Sequence, residues 1–468
     1  MSIYLADLDQ HHIRVISIYA TRWRWTGDYD PQQPHLPLGQ LEEFYSLFQG
    51  QLPQVIHRSS HAAESIAFAP AADDAARPCA DASMLNPADE GVKITRADSW
   101  LFVLPSDQVV AALDFDVHSE LLGTDPIPIV KLLEQCAYAR LIVDVSPLES
   151  HIEALARKAG AKELDTNNKF LPPERHQIVF AERTEGRPPP NDEMIKVILY
   201  RLEPPNRPEF MKYRKPSGLN EVGRTLCAVT PYASLLYGQQ GYVENSVFLT
   251  AVQAVGTAAR FRQIWHKAHG QVSKFRKGGQ EEEVGTQRRG GLEFLADELG
   301  NLELDLSFSV ETSADLGLLI PALRIESFHR ELYAAMELRE RAETVSRMFV
   351  RLDASIRSEL TAIEIRERQR QEQKRLRWGA AVSVLSLIAV PIGFLGTYFG
   401  INGTQVQSEW SIFDMHHYWL AYIAAGCLAL VPFISFLILN GGAWLASHRE
   451  KKERQEQLQA ESSSNAGV

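Results

Sequence analysis

The stretch RLRWGAAVSVLSLIAVPIGFLGTYFGIN, residues 375–402, decides how the rest of the chain is read. A basic collar ends at Arg377, 22 residues without a charge run from Trp378 to Phe399, and Gly400, Ile401 and Asn402 close the run. Crossing the hydrocarbon of a bilayer takes about 20 apolar helical residues, so the run has the length of a membrane span. It contains Pro391 and several glycines, which weaken a helix in water because Pro lacks an N–H and Gly adds backbone entropy. Alternating steps of four and three from Gly379 collect Gly379, Ser383, Ser386, Val390, Gly393, Thr397 and Gly400 on one helix face. Six of these seven are Gly, Ser or Thr. Such a face serves either close helix packing or a pore wall, where small side chains leave room for a hydrated ion. Asn402 decides between them: it sets a neutral amide oxygen where the helix must stop, suited to a cation that keeps its water.

Working outward, a second charge-free run of 30 residues extends from Tyr418 to Ser447. The connecting loop holds no Lys or Arg, only Glu409 and Asp414, whereas basic clusters precede the first run and follow the second. The positive-inside rule then predicts both termini in the cytoplasm and the loop outside, where its acids would concentrate cations. The N-terminal MSIYLADLDQ has no apolar segment of a secretory signal.

N-terminal to the collar, apolar residues recur from Phe328 through Leu332, Ala335, Leu338, Ala342, Val345, Phe349, Leu352, Ile356 and Leu360 to Ile363. Their mean spacing of about 3.5 residues is that of a coiled-coil seam, and no Gly or Pro interrupts it, so one stalk helix is expected over 323–377. Residues 241–322 read as a helical hairpin. The first 240 residues read as mixed α/β, with strands at HIRVISIY, SWLFVLP, QVVAALDFDV, ARLIVDVS, HQIVFAE and KVILYRL. Helices are expected at DPIPIVKLLEQCAYA and PLESHIEALARKAG.

The expected fold is therefore an α+β membrane protein: an N-terminal cytosolic α/β domain (1–240), a helical hairpin (241–322), a stalk (323–377) and two C-terminal transmembrane helices. The first of these (378–399) would line the pore and the second occupy 418–447, joined by an external loop (400–417) and followed by a basic tail (448–468).

The net charge of −11 is unevenly spread: residues 1–363 hold 38 basic and 50 acidic side chains. An acidic body argues against nucleic acid as partner and is compatible with cations. Cys79, Cys136, Cys227 and Cys427 form no CxxC, which fits reduced thiols. There is no P-loop, Gly-x-Ser-x-Gly or HExxH, so no enzyme and no cofactor is expected. Asp114 and Asp116, in DFDVHSE, are weak candidates for a regulatory metal site. His57 and His61 in HRSSH, the EEE of 281–283 and the pair His416, His417 are weaker still.

Two C-terminal runs, a stalk entering the first, Gly-x-Asn at its outer end, Pro391 eleven residues before Asn402, the Tyr398–Phe399 pair and a basic tail together resemble the CorA family of divalent-cation transporters. The resemblance covers roughly 320–455. It implies a homopentamer in the inner membrane, pore walls at Gly379, Val382, Ser383, Ser386, Val390, Gly393 and Thr397, and an ion entrance at Gly400, Ile401 and Asn402. A hydrophobic gate is expected near Val382 and Leu376. Ile401 stands where the family's commonest motif has Met, Gly393 where a pore threonine is usual and Leu376 where an asparagine is usual. Ile at that central place is similar to the ZntB-like branch, so Mg²⁺ heads a list that includes Co²⁺, Ni²⁺ and Zn²⁺. A proton-coupled zinc transporter and a non-transporting membrane-anchored sensor or scaffold are the alternatives.

Overall fold

The computed structural model describes residues 11–27, 52–62, 65–68, 93–119, 127–137, 141–164, 171–183, 189–201, 211–278, 285–319, 325–401 and 414–428, with 430 and 434. The chain divides into two compact units, Met1–Arg357 and Ser358–Val468.

The first unit is built on a sheet. Its strands are β1 (His11–Arg24), β2 (Gln54–His61), β3 (Ile66–Phe68), β4 (Lys93–Val103), β5 (Gln108–Ser119), β6 (Leu141–Val143), β7 (Ser146–Pro147), β8 (Lys162–Glu163), β9 (Arg175–Ala181), β10 (Leu226–Val229) and β11 (Ala233–Tyr237). The main sheet runs β10-β11-β9-β1-β5-β4-β2, with β8 beside β1, while β3, β6 and β7 form a small second sheet. β1 is central because its β-branched and aromatic run is apolar on both faces. It pairs antiparallel with β5, Ile13 opposite Val117, and with β9, Ile13 opposite Ala181.

Helices α1 (Ile127–Ala137), α2 (Leu148–Lys158) and α3 (Asp192–Tyr200) follow. Their apolar stripes (Ile129, Leu133, Ile152, Ile195 and Ile198) share one core with Ile13, Val15, Phe115, Val117 and Val179 of the sheet. Helix α4 (Gly241–Gly278) also packs on β1, β5 and β9. Its contact is close at Gly256, where a Cβ would lie 2.5 Å from Leu104 Cδ2 and 2.9 Å from Val110 Cγ2. Phe248 of α4 meets Phe102 of β4 edge-on, ring centroids 5.2 Å apart, and both are fully buried. Burying one such ring contributes roughly 1.5–3 kcal/mol.

Helix α5 (Gly285–Leu319) packs on α4, as the expected hairpin requires. Arg260 of α4, 2 % exposed, pairs with Asp305 of α5, Nη2 to Oδ2 at 2.5 Å. Two elements differ from the sequence reading. The KVILY of KVILYRL lies in α3, because Asn191 caps the helix, its side chain accepting from Met194 N–H at 2.8 Å, and Asp192 and Glu193 occupy the first turn; Arg201 follows the helix and Leu202 lies outside the described residues. The stalk is two helices, α6 (Ile325–Ala335) and α7 (Leu338–Ile401). They break at Glu337, whose φ of 55° lies in the left-handed region. The seam survives the break: Phe328, Leu332, Leu338, Val345, Phe349, Ile356 and Ile363 are all buried.

The two transmembrane helices expected of the fold class are overturned: among the described residues no helix is long and apolar enough to cross a membrane. The first run is the C-terminal part of α7, which carries Gly379, Gly393, Gly396, Gly400, Ser383, Ser386, Thr397 and Pro391. Of the second run, 419–428, 430 and 434 are helical, and 429, 431–433 and 435–447 lie outside the described residues. The architecture is a mixed α/β unit on a large sheet, followed by a unit of long helix.

Candidate functional site

Helix α7 carries the small-residue face. Gly379, Val382, Ser383, Ser386, Val390, Gly393, Thr397 and Gly400 are all exposed in the single chain. The hydroxyls are held alike: Ser383 Oγ donates to Gly379 O at 2.9 Å, Ser386 Oγ to Val382 O at 2.6 Å and Thr397 Oγ1 to Gly393 O at 2.7 Å. Each hydroxyl proton is thus spent on the preceding turn, and what remains for a partner is oxygen lone pairs. Such oxygens accept from water or meet a hard cation. A Cβ on Gly379, Gly393, Gly396 or Gly400 would meet nothing within 4 Å. Interior helix glycines cost about 1 kcal/mol each relative to Ala, and among the described residues no contact offsets that cost. Pro391, inside α7, removes one further helix hydrogen bond.

The same segment exposes large apolar side chains: Leu376 74 %, Val382 59 %, Leu385 70 %, Val390 50 % and Ile392 63 %. So contiguous an apolar surface is rarely left to water.

At the C-terminal end of α7, Gly400 is exposed and the helix is described to Ile401; Asn402 and Glu409 lie outside the described residues. Asp414 is described. Its carboxylate accepts from His416 N–H at 3.1 Å and pairs with His417 Nδ1 at 3.2 Å, and its backbone O accepts from Tyr418 N–H at 3.2 Å. The bond from the His416 amide, then the contact with His417, holds the Asp414 carboxyl below its ordinary range. Asp414 thereby ties down the turn that leads into the helix of 419–428.

Asp114 and Asp116 lie together on β5, but in an ion-pair ladder across the sheet. Arg14 opposes Asp116 on one side and Arg96 opposes it on the other. Arg14 grips Asp114 at two points, and its Nη1 also reaches Asn245 Oδ1 at 2.9 Å and Glu244 Oε2 at 3.5 Å on α4. Asp98, buried in β4, takes Arg58 at 3.0 Å and Arg96. Burial alone would raise the Asp98 carboxyl, yet hydrogen bonds from Ser60, Arg96 and Arg58 outweigh it and hold it low. The Asp116 carboxyl is raised, by burial first and then by the charge of Asp114. Carboxylates committed to guanidinium groups in this way are poor cation ligands. The partners Arg14, Arg96 and Arg58 were not singled out in the sequence; their signal is a cation in mid-strand, which demands an opposite charge opposite it.

HRSSH is strand β2. His61 Nδ1 donates to Asp144 Oδ2 at 2.7 Å while its Nε2 lies 2.8 Å from Ser99 Oγ, and His57 Nε2 lies 2.9 Å from Ser59 Oγ. The acidic run at 281–283 and Cys79 lie outside the described residues. Among the described residues no group of three or more His, Cys, Asp or Glu is placed to hold a metal ion. In comparisons with known proteins, no protein-family model, curated protein or solved structure matches this chain.

Proposed function

We propose that the chain transports divalent metal cations, Mg²⁺ foremost with Co²⁺, Ni²⁺ and Zn²⁺ as competitors, at a membrane and as a homo-oligomer. The observation that carries this reading is the α7 face on which three hydroxyls spend their protons on the helix itself. Their outward lone pairs, with glycines that no contact among the described residues requires, suit an ion that keeps its water shell. Copies of the chain, and lipid, are the natural cover for Leu376, Val382, Leu385, Val390 and Ile392. Asn402 would greet the hydrated ion. The test is dye-monitored flux of each ion in liposomes holding the full chain, with and without a pH gradient. Mg²⁺ flux that Asn402→Ala abolishes, with assembly intact, is the expected result. Flux unchanged in that variant overturns the entrance role, and zinc flux that needs a proton gradient moves the assignment to zinc.

One finding favours a second reading. Since no described helix is long and apolar enough to cross a membrane, a non-transporting sensor or scaffold that assembles through α7 also accounts for the exposed apolar surface. Absence of flux for every ion, with oligomers present, selects it.

A further inference from the structure

A cavity of about 330 Å³ opens in the first unit where the stalk breaks between α6 and α7, against helix α4. Steps of three and four from Ala258 put Phe261, Arg262 and Trp265 on one face of α4. The same steps from Glu337 put Glu340, Arg341 and Thr344 on one face at the start of α7. Between them the wall is apolar: Ala258, Phe261 and Val345 are buried, while Trp265 stays 39 % exposed.

Glu174, the residue before β9, enters from the sheet. Its backbone O accepts from Ala20 N–H at 3.0 Å, which ties it to β1, and its side chain is 7 % exposed. One carboxylate oxygen, Oε1, lies 2.8 Å from Arg262 Nε in an ion pair. The other, Oε2, is buried and has no hydrogen-bond partner among the described residues, on a side chain that lines the cavity. Buried carboxylate oxygens are rarely left so, because nothing then replaces the lost hydration. Burial accordingly raises the Glu174 carboxyl above its ordinary range, with Arg262 foremost among the groups that oppose the rise.

Glu174, Glu337 and Glu340 line the cavity with Arg262 and Arg341, one negative charge in excess. Arg262 is already engaged at Glu174 Oε1, so Oε2 calls for a donor from outside the chain. An ammonium group supplies both the donor and the missing positive charge. The ring of Trp265 attracts a cation at its face, and Phe261, Ala258 and Val345 suit an apolar stem. A bare metal ion fits less well, since among the described residues no group of three or more His, Cys, Asp or Glu is placed to hold one. The volume is at the small end of ligand sites, which run from roughly 300 to 1,000 Å³.

We propose that this cavity binds the primary ammonium group of a small organic amine, with Glu174 Oε2 as its acceptor and Trp265 against the cation, as a ligand site independent of the small-residue face at 379–400.

The test titrates the full chain calorimetrically with 2-phenylethylamine, with its neutral counterpart 2-phenylethanol, and with the amine in the presence of Mg²⁺. The amine is expected to bind and to raise the unfolding temperature, about tenfold more tightly than the alcohol, as a charge-assisted bond implies. Mg²⁺ is expected to leave the amine titration unchanged. Glu174→Gln should weaken the amine about tenfold. Because that variant also strips Arg262 of its partner, two exposed positions serve beside it. Trp265→Leu keeps apolar bulk without the ring, and Glu337→Gly suits the left-handed backbone, φ 55°. Both are expected to stay folded and to weaken the amine about threefold. The proposal is overturned if the amine does not bind at about 10 mM, ten times a millimolar dissociation constant. It is equally overturned if the alcohol binds as tightly as the amine, or if Trp265→Leu and Glu337→Gly both bind the amine as the parent does. Displacement of the amine by Mg²⁺ overturns the organic assignment.

Discussion

Arg14 of β1 reaches diagonally across to Asp114 of β5 in a two-point ion pair, Nε to Oδ1 at 2.9 Å and Nη2 to Oδ2 at 2.7 Å. The Asp114 side chain is 4 % exposed and that of Arg14 17 %. Phe180 lies 5.7 Å from the guanidinium carbon, so Arg14 is held by charge, amide and ring together. This relationship turns a possible acidic metal site into a structural clamp between the central strands and α4.

Removing one partner leaves the other buried and uncompensated. Asp114→Ala is expected to destabilise the fold by about 3 kcal/mol, within the range for broken buried pairs, measured by urea unfolding. The double variant Arg14→Met with Asp114→Leu should recover most of that loss, because no lone charge remains. If Mg²⁺ raised the stability of the parent but not of Asp114→Ala, the clamp assignment would fail and the metal site would return.

His176 gives a pH dependence of definite sign. It is 1 % exposed, with Nδ1 3.2 Å from Pro231 O and Nε2 2.8 Å from Ser234 Oγ. Burial pushes the imidazole down to about 4, outweighing the raising effect of the Pro231 carbonyl. The unfolded chain therefore takes up this proton first, near its ordinary value of about 6.5. The contribution is fully present above pH 6.5 and is lost as pH falls towards 4, roughly 3 kcal/mol over the interval. His176→Gln should flatten that part of the stability curve by about one proton; an unchanged slope would remove His176 from the account.

The elements legible in the sequence were those whose period matched their surroundings. β1, β5, α1 and α2 each bury the face that alternation or helical spacing marks, and the hairpin of α4 and α5 lies where Gly and charge interrupt the apolar pattern. KVILYRL misled because a buried apolar run reads alike as strand or helix, and its capping residue, Asn191, lies four residues upstream of Ile195. The break at Glu337 carries no Gly or Pro; a left-handed glutamate makes it while the seam keeps its phase. The partners of Asp114 and Asp116 come from strands separated by about 20 to 100 residues, so pairing register places them and no local spacing could.

Asn191→Ala tests the cap that decided α3. The side-chain oxygen satisfies Met194 N–H at 2.8 Å, and Tyr213 Oη donates to Asp192 Oδ1 in the same first turn at 2.5 Å. Loss of the cap is expected to cost about 1 kcal/mol, read as a lower urea midpoint with unchanged slope. Asn191→Asp should cost little or nothing, since an acid at this end also favours the helix dipole. A large loss with Asp would place the role of Asn191 elsewhere than in capping.

Gly393 separates the needs of the chain from those of its function. An added Cβ meets nothing within 4 Å, and Ala is the better helix former by about 1 kcal/mol, so Gly393→Ala should leave the isolated chain as stable or slightly more so. If the face lines an ion path among copies of α7, the same methyl intrudes where room is needed, and ion flux should drop at least severalfold while the protein stays folded. Gly426, equally unencumbered but outside the α7 face, is the control: Gly426→Ala should leave flux near that of the parent. Equal flux in both variants would show that the small residues of α7 serve assembly alone, and the non-transporting reading would then be the better account of the exposed valines and leucines between them.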